Sequence, residues 1–209
     1  MLEKVQGYII KIINHSDNSK ILTLYTNKLG KITVAANIPE KISNGNMGIY
    51  DLGNAVNVLL YRKTEEEMYK ISEISLLKQY RNIHFDYEKL CVLNYVLFAI
   101  NQNFEENFGD LTFMNFFKLY MRFLDETKTE TKKMIFLFDY YFMLINGQME
   151  KLSFLNELEN AFLEELSTQI VLKKELFEFI TPNLIKEMNR FKKNKFKFLD
   201  INKELFYNY

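Results

Sequence analysis

From Val5 to about Leu77 the apolar positions follow a two-residue rhythm. Val5, Gly7, Ile9, Lys11 and Ile13 alternate with Gln6, Tyr8, Ile10 and Ile12 in a β-branched run too short for a convincing helix, which predicts a strand. Asp17-Asn18-Ser19 reads as a turn, residues 20–26 as a second strand and residues 31–36 as the returning strand of a hairpin. Gly30 closes that hairpin, where a positive φ is available to it. Residues 37–54, rich in Asn and Gly around 43–48, read as a long loop of the kind that carries binding contacts. Residues 55–61 and 68–76 complete a set of five short strands, which fits a small barrel such as the OB-fold.

After Tyr80 the rhythm lengthens. Leu90, Leu93, Val96, Leu97 and Ile100 share a helical face behind Asp86, a cap residue; Met114, Phe117, Met121 and Leu124 do the same behind Asp110. Thr127 with Glu130 has capping-box spacing and predicts the start of a helix that stops at Gly147. Ser153 predicts a further start, with Leu155, Leu158, Phe162 and Leu166 on one face and a run towards Thr181. Pro182 suits the first turn of the helix after it. The class expected is therefore α+β: a five-stranded OB-fold-like barrel over residues 1–80, then an all-helical domain over residues 81–209.

Composition narrows the function classes. The 209 residues carry 27 Lys/Arg and 27 Asp/Glu, 13 Tyr, 19 Phe and one cysteine, Cys91. A single cysteine excludes an intrachain disulfide and a cysteine-cluster zinc site, and Cys91 itself, on an apolar helical segment, is expected to be a packing residue. Met1-Leu2-Glu3-Lys4 leads straight into a strand pattern and no stretch reaches membrane-spanning length. The expectation is a cytoplasmic, nucleoid-associated protein with no membrane partner. Up to residue 80 there are ten Lys/Arg against eight Asp/Glu, and beyond it seventeen against nineteen. Any nucleic-acid site must therefore be a local patch.

Two sets of residues qualify. In the barrel, Lys20, Lys28, Lys31, Lys41, Arg62 and Lys63 supply cations, and Tyr8, Tyr25, Tyr50 and Tyr61 are candidate stacking platforms, Tyr25 foremost; a cationic groove with aromatic platforms is how OB-folds hold single strands. Near the C-terminus, Lys186, Arg190, Lys192, Lys193, Lys195 and Lys197 oppose Glu187 alone, interleaved with Phe191, Phe196 and Phe198. That patch suits phosphates or an acidic protein tail. Helical spacing places Lys186, Arg190 and Lys193 near one face. His15 and His84 make no triad pattern, Glu65-Glu66-Glu67 reads as a charged turn, and no phosphate-binding glycine motif occurs. These features point to a binding protein, not an enzyme, with no cofactor and no metal.

Three stretches resemble the RecO family of recombination mediators. They are Gly7-Tyr8-Ile9-Ile10 followed by residues 17–31 with their Asp-Asn-Ser turn and Gly30-Lys31; Ala35-Ala36 through Ser43; and Phe136 to Gly147, similar to the family's central helix ending in Gly. The resemblance implies binding of single- and double-stranded DNA, strand annealing, and work with a RecR-type partner to load recombinase onto DNA coated by single-strand-binding protein. Two departures stand out. Many relatives carry two Cys-x-x-Cys pairs for zinc after the central helix, whereas residues 148–158 hold no cysteine. Residues 36–42 keep only Lys41 where relatives are richly basic. The rival expectation is a protein-only scaffold on the same frame that has lost DNA affinity.

Overall fold

The structure, a computed structural model, describes residues 2–16, 19–37, 47–128, 130–149, 152, 155–168, 170, 172–173 and 175–195. The alternating pattern folds as five strands: β1 (Leu2–Ser16), β2 (Ser19–Thr26), β3 (Gly30–Asn37), β4 (Ala55–Tyr61) and β5 (Tyr69–Lys78). They close into a barrel in the order β1-β2-β3-β5-β4. All pairings are antiparallel except the short parallel contact of Val34 with Tyr69 and Ala35 with Lys70 that seals the barrel. Register shifts after Ile9 and after Asn14 let the long first strand bend around it. Inward positions build one apolar cluster that includes Val5, Ile9, Leu22, Leu24, Ile32, Val34, Val56, Val58 and Leu60. A 3-10 turn, Met47–Tyr50, places Tyr50 against it.

The helices are α1 (Arg81–Phe85), α2 (Tyr87–Asn103), α3 (Leu111–Glu126), α4 (Thr131–Ile145), α5 (Glu157–Thr168), α6 (Leu176–Phe179) and α7 (Pro182–Lys195). Among the described residues nothing before residue 40 is helical, and the one strand-like contact after residue 90 is an isolated bridge at Glu106. The chain divides into two compact units. One gathers Met1–Arg81 with Leu97–Met114; the other gathers Asn82–Val96 with Asn115–Tyr209.

Most helix ends obey local chemistry. Asp86 accepts the Lys89 amide at 3.1 Å, Asp110 the Phe113 amide at 2.9 Å and the Thr181 hydroxyl the Leu184 amide at 3.1 Å, each capping the helix that follows. At the end of α4, Gly147 takes φ 65° while its amide reaches the Leu144 carbonyl and that of Gln148 the Met143 carbonyl. This is the paired closure that a left-handed residue after a helix permits.

Two starts differ from expectation. Thr127 does not open α4: its amide bonds back to Phe123 at the end of α3, and Glu130 stands at the cap position with no side-chain capping bond. Ser153 lies outside the described residues, and α5 starts later, where Asn156 and Glu159 cap each other reciprocally at 2.8 and 3.2 Å. Leu158 is then exposed, and the helix ends at Thr168 instead of continuing to residue 181. Within the second unit α4 is buried on nearly every side, every residue from Met134 to Met143 being covered. Phe116, Tyr120, Phe138 and Tyr141 interlock there at centroid distances of 5.3 to 6.2 Å.

Candidate nucleic-acid interface

In the barrel unit the expected residues separate. The ladder pairs Lys20 with Ala36, Ala35 with Lys70 and Lys70 with Tyr61, so Lys20 belongs to the end of the barrel where β4 runs out into Arg62 and Lys63. Lys28 occupies the β2–β3 turn at the other end. Arg62 lies 4.4 Å above the Tyr69 ring and donates to the Glu65 carbonyl at 2.8 Å. Lys63 and Lys28 are exposed and Lys20 is half-buried. Lys41 lies outside the described residues. The exposed Lys70, which the strand pattern alone did not single out, joins the Lys20 end.

The aromatic platforms need correction. Tyr8, Tyr25 and Tyr50 are buried, and of the four only Tyr61 is accessible, at 37%. Tyr8 meets the Tyr80 hydroxyl at 3.2 Å, and burial, reinforced by Tyr80, drives its phenol far above the ordinary range. Tyr25 packs against Phe104 and Phe113, and its hydroxyl donates to the Asp110 carbonyl and accepts the Asp110 amide. Burial pushes its pKa to about 12. Lys31 is corrected as well: only 9% exposed, it donates its ammonium to the Asn101 carbonyl at 2.9 Å. Neither Tyr25 nor Lys31 faces solvent.

The second set lies in the helical unit. Lys186, Arg190 and Lys193 line one groove of about 770 Å³ together with Lys132 and Lys133 from the first turn of α4. Glu130 lies in the same groove and pairs with Lys133 at 3.1 Å, while Arg190 pairs with Glu187. Lys132 and Lys133 are 53 residues or more from the C-terminal patch in sequence, so only the packing of α4 on α7 reveals them. A second cavity, about 420 Å³, shares Lys132, Ile185 and Asn189 with the groove and is lined by Cys91, Ile135, Phe136 and Met188. Cys91 is half-buried at its wall instead of fully packed.

Lys192 is a correction to the surface patch. Its side chain is 2% exposed and ion-paired with Asp139 of α4, whose other oxygen accepts the Tyr95 hydroxyl at 2.6 Å. Burial pushes the Asp139 carboxyl up, against the pull of Lys192 and Tyr95. The signal was present in the sequence: Asp139 is the sole charge between Met134 and Ile145, and a lone acid in an apolar helix needs a buried partner. The side chain of Lys195, and Lys197 with Phe196 and Phe198, lie outside the described residues.

Residues 1–80 match the family model described as recombination protein O, N terminal. The barrel region is therefore similar to the N-terminal domain of RecO proteins. Curated RecO relatives agree. The DNA repair protein RecO of Chlorobium luteolum is 36% identical over 77 residues, 37% of this chain and 29% of the relative. That of Prosthecochloris aestuarii is 28% identical over 102 residues, 49% of this chain and 39% of the relative. With the RecO protein of Chloroherpeton thalassium the alignment reaches 141 residues at 26% identity, 68% of this chain and 53% of the relative. The matches thus span between three tenths and about half of these RecO proteins' own lengths. The closed barrel, an OB-fold, spans the residues that this family model matches.

Proposed function

We propose that the chain is a non-catalytic mediator of DNA repair and homologous recombination. In this reading it binds single- and double-stranded DNA, anneals complementary strands and, with a RecR-type partner, helps load recombinase onto DNA coated by single-strand-binding protein. Its place would be the cytoplasm, at the nucleoid; among the described residues no helix is long and apolar enough to cross a membrane. Similarity to DNA repair proteins supports the class of work. The observation that carries the mechanism is the gathering of Lys132, Lys133, Lys186, Arg190 and Lys193 around one groove. A neutral chain concentrates charge in this way where an anionic ligand is held. The rim cations Lys20, Arg62 and Lys63, and Lys28 at the opposite end, are proposed as secondary phosphate contacts.

The chain's zero net charge favours a second reading, a scaffold that meets acidic protein segments alone. The apolar cavity continuous with the cationic groove suits an acidic tail that ends in an apolar residue. One experiment separates the two. Binding of a fluorescent oligothymidylate is titrated with salt for the parent and for a Lys186→Ala, Arg190→Ala, Lys193→Ala variant. Each lost phosphate contact flattens the log–log slope by about 0.7 for single strands, so three contacts lower it by roughly 2. An unchanged slope with lost binding of single-strand-binding protein assigns the groove to the protein partner. Unchanged binding of both removes the groove from either role.

A further inference from the structure

The β2–β3 wall turns Thr23, Tyr25, Lys31 and Thr33 away from the barrel interior, and the register sets Tyr25 beside Lys31 and Thr23 beside Thr33. A ring, a cation and two hydroxyls side by side are what a single strand needs for base stacking and phosphate contact. This is also the wall on which OB-folds take oligonucleotides. Here residues 101–113 of the same compact unit already engage it. Phe104 and Phe113 pack on the Tyr25 ring at 5.0 and 5.5 Å, as bases would. The Asn101 carbonyl takes the Lys31 ammonium, and the Glu106 carboxylate takes the Thr33 hydroxyl at 3.0 Å, as phosphate oxygens would.

The backbone is joined too. The Lys31 amide donates to the Phe108 carbonyl at 3.0 Å and the Asn107 amide to the Lys31 carbonyl at 2.7 Å, which adds a short parallel rung to β3 before Val34, where β5 does not pair with it. Gly30, at φ +66°, and Gly109 allow the two segments to touch: a Cβ on Gly109 would lie 2.6 Å from the Gly30 Cα, and one on Gly30 would lie 2.2 Å from the Phe108 carbonyl. No side chain fits between them.

We propose that residues 101–113 are a permanent internal occupant of the β2–β3 wall, a stand-in built from the same chemistry as a nucleic-acid strand, and that this wall takes no external ligand. Tyr25 and Lys31 are then clamps for the chain's own segment. Any nucleic acid the barrel contacts is confined to its rims and its other walls.

Amide exchange of the full chain tests this without ligand first. The Lys31 and Asn107 amides are expected to exchange within about tenfold of the β2–β3 ladder, because a permanent cover opens only with the unit that it covers. Addition of an oligothymidylate leaves both unchanged. A separate, faster opening of residues 101–113, or their deprotection by the oligonucleotide, overturns the proposal and makes the segment a releasable strap. Gly109→Ala is expected to lower Tm by at least about 5 °C; a parental Tm would show a dispensable contact and overturn it as well. If that variant does not fold, Lys31→Gln serves in its place: its oligonucleotide affinity stays within twofold of the parent, and a loss beyond fivefold would return Lys31 to the ligand.

Discussion

Asp139 and Lys192 stand 53 positions apart in the sequence and meet where neither touches water. Taking both charges out of solvent costs much of what their attraction returns, so the pair contributes little net stability while each member depends wholly on the other. Asp139→Asn, which strands the ammonium beside Tyr95, is expected to destabilise the chain by about 3 to 5 kcal/mol in urea unfolding. A joint replacement, Asp139→Leu with Lys192→Met, should cost less than either change alone. The sign for pH follows from burial. Because the Asp139 carboxyl is held above its usual value, its ionisation opposes folding, and its own contribution falls as pH climbs from about 3.8 through the raised value. Lys192 limits that loss, so Lys192→Met should steepen it in unfolding curves collected across this range.

Glu159 ties the starts of two helices together. Burial pushes its carboxyl up, but hydrogen bonds from the Thr181 hydroxyl, the Asn156 amide and the Asn183 side chain outweigh it and hold the group below its usual 4.5. The folded pKa being the lower one, the stabilisation is present above about 4.5 and is lost as pH falls through the folded value. Glu159→Gln is expected to shrink this acid limb of the thermal unfolding profile and to loosen α5 and α7 together. Element boundaries were legible where one side chain or one glycine decides them, as at Asp86, Asp110, Gly147 and Pro182. They were illegible where two caps compete. Thr127 has the right spacing, yet α3 runs on far enough to take its amide, and at α5 the reciprocal Asn156–Glu159 pair needs both partners to be recognised.

Across the whole chain, the barrel was readable because strand alternation needs only neighbours in sequence. The groove was half readable: α7 spacing yields Lys186, Arg190 and Lys193, but Lys132 and Lys133 arrive through tertiary packing. Burial of Tyr25 and Lys31 was unreadable, since a stacking platform and a packing residue look alike until residues 101–113 are placed. The segment after Gly147 carries no cysteine, and the Gly147 closure is local. The fold is therefore expected to need no zinc: chelator treatment should leave Tm unchanged, and elemental analysis of purified protein should return no stoichiometric metal.

The barrel's unit is discontinuous, Met1–Arg81 resuming only at Leu97–Met114. During synthesis all five strands leave the ribosome before the stretch that finishes their wall. At about 5 to 20 residues per second, the intervening chain takes about 1 to 3 seconds to appear. For that interval the start of β3, which β5 does not pair, and the Tyr25 ring stand open, the kind of edge on which nascent chains pair wrongly. A gene fragment cut at the end of the last strand would make that interval permanent.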